Sequence, residues 1–493
     1  MKLFGFLIAA MAVALAAEDE PLKGRAQVLA ERQKLYPEIA RIVEATHGVP
    51  QEFAAEALLR AAEAPFLADR DWKKELIEEA FQHARQAKEP VARKVAVMTA
   101  TSGTRASMIA QAAATGLDRV TLEMRAVRDE LALDKVKGRE FFATAGKPAV
   151  RRASCDDALV DNVAAYYETL ARVVDGGFTS EEKQKDAHVQ LLAAELRKIT
   201  SPVEVGPAAR AIMTSNLTAA QLEFVVSAFS AALQKISGDD RAFSSALVGT
   251  DRDLETLLDK LRAAGVSVEP LTTAYRQYLT QNFAGARCED TITMKPDVGA
   301  TIGGGGPEPV AATFGGIDPS TIKPSKVQGK PKLERFITSE QGGSFRAAFD
   351  SLMFGSGGRG LRDDQKVTPQ WRERFTTLAR SIDEMKRESS EPAADFFYRK
   401  AGAYIVALTA APPGPERDGV VLQYIGFLRT SDMQQEDVVA WFSQVDALVS
   451  LTQSVNAEEY RKLLAALTNS GHPVLRLYAE EENSLPQRPA WAR

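Results

Sequence analysis

Histidine and cysteine, the side chains on which most metal centres and covalent catalysts draw, are nearly absent: four histidines and two cysteines in 493 residues. His47, His83, His188 and His472 form neither H-E-x-x-H nor H-x-x-x-H, so a zinc site is not expected. Cysteine–histidine catalysis is not expected either, since neither thiol has an activating base beside it in sequence. A surplus of positive charge is also missing. Sixty-one Lys and Arg stand against 66 Asp and Glu, a net charge of −5, which leaves no basic footprint for nucleic acid. Only four tryptophans are present, too few for the aromatic platforms on which sugar rings stack. Trp72 and Trp371 fall on core stripes, and Trp441 lies within a helical pattern.

Long apolar runs are lacking everywhere except at the start. There MKLFGFLIAAMAVALAAEDE combines one lysine, an apolar run from Leu3 to Leu15, and small residues ahead of Glu18-Asp19-Glu20. This is the order of a secretory signal peptide, with cleavage expected near Ala16 or Ala17. The run is short for a bilayer and has no basic stop beyond it. No cysteine follows to accept a lipid. The mature chain is therefore expected to be exported, periplasmic or extracellular, without a membrane span.

In such a compartment thiols tend to be oxidised, and Cys155 and Cys288 are expected to pair, two separate buried thiols being the alternative. The bridge would bring Asp156 and Asp157 toward Glu289 and Asp290, a four-carboxylate group of the kind hard cations favour. Against a cation site, Asp156 and Asp157 fall in the first turn of a helix, where carboxylates complement the dipole, and the other pair can simply face water.

What is abundant is helical periodicity. Residues 22 to 46 read as helix and lead through Gly48 and Pro50 into QEFAAEALLRAAE, with Pro50 at its first position. Trp72, Leu76, Ala80, Phe81 and Ala84 line one face of the next. Thr179 with Glu182, and Thr218 with Gln221, have capping-box spacing. The first opens a helix carrying Val189, Leu192, Leu196 and Ile199; the second precedes Leu222, Val225, Val226, Phe229 and Leu233. Leu254, Leu257, Leu258 and Leu261 follow, with Gly265 as the stop.

Between Cys288 and Pro331 the pattern fails, and Gly303 to Gly306 are four consecutive glycines. Beyond it, starts near 371, 394, 416, 434, 456 and 473 give two-helix units of 40 to 45 residues, the length class of armadillo-like repeats, although no consensus recurs. The expected fold is all-α, with helical hairpins stacked as an α-solenoid or two helical bundles. Its expected parts are a signal peptide (1–16), an N-terminal helical domain (17–287), a Gly/Pro-rich linker or excursion (288–335), a C-terminal helical hairpin domain (336–482) and a flexible tail (483–493).

Shorter motifs add no chemistry. Gly355, Gly357 and Gly360 match G-x-G-x-x-G but lack the preceding strand of a nucleotide fold. Ser180/Lys183 and Ser320/Lys323 give S-x-x-K without a K-T-G partner. The loop from Asp175 lacks the glycine of a calcium-binding loop at its sixth position. No catalytic residue and no cofactor is assigned. The expected function is an exported helical-repeat binding or scaffolding protein with a protein or peptide ligand. The alternative is a secreted, toroid-like hydrolase or lyase acting on polysaccharide or cell-wall material.

Overall fold

The computed structural model describes residues 27–87, 115–150, 163–236, 242–283, 352, 368–387, 389, 393–411, 414–454 and 457–486. Among them the regular structure is helical, with no strand. In chain order the helices are α1 (27–35), α2 (Pro37–Ala45), α3 (Gln51–Glu63), α4 (Arg70–Gln86), α5 (Arg119–Leu133), α6 (Lys135–Ala145) and α7 (Val163–Gly176). Next come α8 (Ser180–Gln184), α9 (Ala187–Leu196), a 3₁₀ turn (Pro202–Glu204), α10 (Val205–Thr214), α11 (Ala219–Leu233), α12 (Ala242–Ala263) and α13 (Glu269–Phe283). After the connector are α14 (Pro369–Asp383), α15 (Ala393–Ala410), α16 (Pro415–Thr430), α17 (Met433–Glu436), α18 (Val438–Gln453), α19 (Ala457–Thr468) and α20 (Pro473–Ser484).

Side chains placed at the ends set where these helices start. Asp69 accepts from the Trp72 amide (2.8 Å), Asp118 from Thr121 (3.0 Å), Thr368 from Trp371 (3.2 Å) and Asp437 from Ala440 (3.1 Å), each satisfying an amide that the first turn leaves open. Of the capping-box spacings in the sequence, those at Thr179/Glu182 and Thr218/Gln221 form, and Ser154/Asp157 lies outside the described residues. The helix expected over 22–46 is broken: proline has no N–H and forces its predecessor out of helical geometry, so Tyr36 adopts φ −133° and ψ 63° ahead of Pro37. Pro50 is the residue before α3, not its first. The segment opened by Thr179 divides into α8 and α9 at Asp186, whose φ of 55° ends the first turn of helix. Its Oδ1 accepts from Gln221 Nε2 (2.6 Å), which ties the bend to α11.

Where the helices stop, a second device recurs. Free carbonyls at C-termini are met by a Lys or Arg from elsewhere in the chain, which both bonds them and offsets the negative end of the dipole. Lys260 donates to the carbonyls of Ile212 (3.1 Å), Met213 (2.7 Å) and Ser215 (2.9 Å) at the end of α10. Lys400 donates to Asp383 (2.7 Å) and Met385 (3.3 Å) at the end of α14. Arg417, buried, reaches Leu408 and Ala411 at the end of α15 and Leu451 in α18. Lys183 meets Asp175 (2.5 Å) in the last turn of α7, and Arg70 meets Leu133 at the end of α5.

Packing then orders the helices. From α5, the helices α7, α10 and α12 each pack on the one before, and α9, α11 and α13 form a second succession beside them. In the second half α14 packs on α15 and α16, α15 on α18, α16 and α18 on α19, and α19 on α20. The two halves meet where α20 packs on α2 and α3. Phe442 of α18 meets Phe53 of α3 edge-on (4.9 Å between centroids) and Tyr478 of α20 likewise (5.1 Å). Arg41 pairs with Glu480 (2.6 Å). Arg60 pairs with Glu481 (2.6 Å) and Glu482 (3.2 Å), all three buried, while Tyr460 donates to Glu482 (2.7 Å). The buried apolar side chains of both halves form one connected core.

A further buried charge ties the loop after α6 to α7 and α10. Glu204 is wholly buried. Its Oε1 accepts from Tyr167 (2.9 Å) and Lys147 (2.7 Å), and its Oε2 from the amides of Thr200 (2.8 Å) and Ser201 (3.0 Å). Beside it Tyr166 donates to Glu195 (2.8 Å).

Candidate functional site: a charged seam across α3, α5 and α7

Cys155, Asp156, Asp157, Cys288, Glu289 and Asp290 lie outside the described residues, as do the glycines at 303–306 and 355–360, so the expected bridge and cation cluster are not placed. Among the described residues no three His, Cys, Asp or Glu side chains gather as a metal would require. The four histidines are dispersed. His472 lies against Trp441 (4.8 Å between centroids) and meets Gln434 (2.7 Å), and burial, then Arg429, lowers its pKa. His188 is buried and also titrates below its ordinary range, from desolvation and then Lys183. Ser180 and Lys183 sit on α8, where Lys183 serves the α7 carbonyl. Asp175 accepts from the Asn216 amide (2.9 Å), so the loop that resembles a calcium loop is a structural tie.

A group of interacting ionisable side chains near solvent lies elsewhere. Helix α3 is buried over nearly its whole surface because α2, α4, α5 and α20 all pack on it. Its Glu52, Glu56 and Arg60, spaced four apart, are consequently carried inside. Arg125 of α5 reaches back to this row. Its guanidinium forks between Glu56 (2.5 Å) and both oxygens of Glu63 (2.7 and 2.6 Å), the planar geometry in which arginine binds carboxylates best. One turn further along α5, Asp129 is half-buried, and no described N–H or O–H donates to its enclosed Oδ2. Desolvation first, and then the charge of Glu63, push the Asp129 carboxyl up to about 8 against the pull of Arg125 and Arg128. At neutral pH the Asp129 carboxyl therefore holds its proton.

Arg128 lies between α5 and α7. It donates to Thr169 Oγ1 (2.9 Å), and its pKa is lowered by desolvation and by the like charge of Arg172. Glu168 and Arg172, four apart on α7, are exposed, as is Glu63. The seam thus runs from Glu63 through half-buried Arg125, Asp129 and Arg128 to Glu168 and Arg172, with both signs of charge on three helices. Sequence reading does not find it. The Glu52/Glu56/Arg60 spacing is visible, but a charged row four apart is also what a solvated helix face shows, and only tertiary packing tells the two apart.

A proton-bearing Asp129 next to Glu63 is the kind of pair that acid–base catalysis uses. Here Glu63 is held by two hydrogen bonds to Arg125, which restrains it from acting as a base. Trp72, Trp371 and Trp441 are all buried, so none of them is free to stack on a sugar. Comparison of the chain with protein-family profiles, curated proteins and solved structures returns no match.

Proposed function

We propose that this chain is an exported helical-repeat protein that binds or scaffolds, and that the seam across α3, α5 and α7 is where a protein or peptide ligand rests. The observation that carries the reading is the seam itself: half-buried Arg125 and Arg128 and the proton-holding Asp129 on α5, flanked by exposed Glu63, Glu168 and Arg172 on the neighbouring helices. Such groups discriminate between partners by complementarity, and successive helices offer a surface long enough for an extended segment. Export rests on the leader composition, and the leader lies outside the described residues. Among the described residues no helix is long and apolar enough to cross a membrane.

The polysaccharide reading draws on one specific feature, the Asp129–Glu63 pair, and is opposed by the burial of the three tryptophans. One experiment separates the two. A photo-crosslinking residue at Arg172, and another at exposed Leu422 on α16, are placed in the full chain in its native host. A defined adduct from 172 alone, lost when Glu168→Arg and Glu63→Arg reverse the seam's charge, supports ligand binding there. Equal labelling from both positions, or a polysaccharide-cleaving activity abolished by Asp129→Asn, overturns it. Cell fractionation and N-terminal sequencing of the same preparation test export, which an intact Met1 in the cytoplasm would refute.

A further inference from the structure

The halves of this protein are adjacent through α20 and the pair α2 and α3, while in sequence they are separated by residues 284–367. We infer that the contact of α18 and α20 with α2 and α3 suffices to hold the halves together, so that a chain cut within the connector persists as a two-chain particle. The contact has the makeup of a core. On α20, Val474, Leu475, Leu477, Tyr478 and Ala479 are buried, and α3 opposite them is covered along its length. At its centre Arg60 is enclosed with Glu481 and Glu482, and the second of these also takes the Tyr460 hydroxyl. Arg60 additionally donates to the Pro486 carbonyl (3.4 Å), which fixes the end of α20. Aromatic packing of Phe53, Phe442 and Tyr478 closes the same contact from the side of α18.

No covalent tie competes with this reading. Cys155 and Cys288 both precede Gly303, so a bridge between them would stay within the N-terminal piece. Breaking a buried pair by altering one partner leaves an uncompensated charge, so Arg60→Glu is expected to weaken the association by a hundredfold or more, on the order of the usual cost of such a change.

The test replaces Gly303–Gly306 in the full chain by a site-specific protease sequence, and the products are followed by gel filtration after cutting. The expected result is one peak at the mass of the uncut chain that resolves into two pieces only in denaturant. With Arg60→Glu the cut pieces are expected to separate at micromolar concentration, and adding Glu481→Arg to restore the pairing is expected to recover part of the single peak. Separation of the unaltered pieces after cutting overturns the inference, and so does an Arg60→Glu particle that holds as tightly as the original. If the inserted sequence resists the protease, residues 1–303 and 304–493 produced together as two chains give the same readout.

Discussion

Replacing Glu204 by Gln preserves shape and removes one acceptor oxygen, and the structure sets what that costs. Glu204 is wholly buried and receives Tyr167 and Lys147 on one oxygen, and the amides of Thr200 and Ser201 on the other. A glutamine presents one oxygen and one NH₂. If the NH₂ faces the loop, two buried backbone amides lose their acceptor, at about 1–3 kcal/mol each. If it faces the other way, Tyr167 and Lys147, whose side chain is 13% exposed, lose their acceptor, and Lys147 keeps only the Lys198 carbonyl without a counter-charge, for which up to about 3–5 kcal/mol is typical. Either orientation gives a loss of roughly 2–6 kcal/mol, a large part of the ~5–15 kcal/mol that holds a native protein together. Urea unfolding followed by far-ultraviolet circular dichroism reads the loss, and hydrogen exchange at the Thr200 and Ser201 amides locates it. Lys147→Met with Glu204→Gln is expected to cost less than the sum of the single changes by at least about 1 kcal/mol, because the two charges compensate each other. A shift below about 0.5 kcal/mol for Glu204→Gln, or strict additivity in the double variant, would refute the assignment of Glu204 as the tie between α7, α10 and the loop at Lys147.

Three further outcomes are expected. The Asp129 pKa is raised in the folded chain, to about 8, above the ~3.9 of an unfolded aspartate, so the unfolded state loses its proton first and stability falls as pH rises from about 4 to 8. Asp129→Asn, neutral throughout, should therefore gain on the unaltered chain over that window, by on the order of 1–2 kcal/mol once water screening is allowed for; a difference independent of pH would contradict this. Lys260→Met should lower the melting temperature by leaving three carbonyls at the end of α10 without their donor, a loss of about 1–3 kcal/mol, with Lys260→Arg losing less; equal melting of all three forms would show that water replaces the lysine. Denatured, unreduced protein from an oxidising compartment should offer no free thiol, and full labelling of Cys155 and Cys288 would remove the proposed bridge and with it the gathered carboxylates.

Much of the helical framework is legible because it depends on local spacing. Trp72, Leu76, Ala80, Phe81 and Ala84 are buried together, as are Trp371, Phe375, Leu378 and Ile382, since a 3.6-residue period places them on one face whatever lies opposite. Gly265 ends α12 with a φ of 73°, the conformation that glycine adopts at least cost. The helix starts expected at 371, 394, 416, 456 and 473 fall within two residues of Pro369, Ala393, Pro415, Ala457 and Pro473. Breaks decided by single residues are harder to read: Pro37 splits what resembles one helix, and Asp186 turns another. The candidate seam is not legible at all. Arg125 reaches residues 62 and 69 positions earlier, and Lys260 and Lys400 reach carbonyls 15 to 48 positions away. Pairings of that range belong to tertiary structure, and no periodicity encodes them.

The meeting of α20 with α2 and α3 also fixes a timetable. Helix α3 leaves the ribosome well before α20, with Phe53 and the Glu52/Glu56/Arg60 row bound for the interior that α20 covers on one side. At about 5–20 residues per second, the roughly 420 residues between them take on the order of 20–80 s to synthesise. For that interval the nascent N-terminal half presents an apolar face and an uncompensated Arg60 that nothing yet translated from α18 or α20 can cover. A holding chaperone, or ordered passage through an export channel, would act on that face first, and a chain released before α20 would expose it permanently.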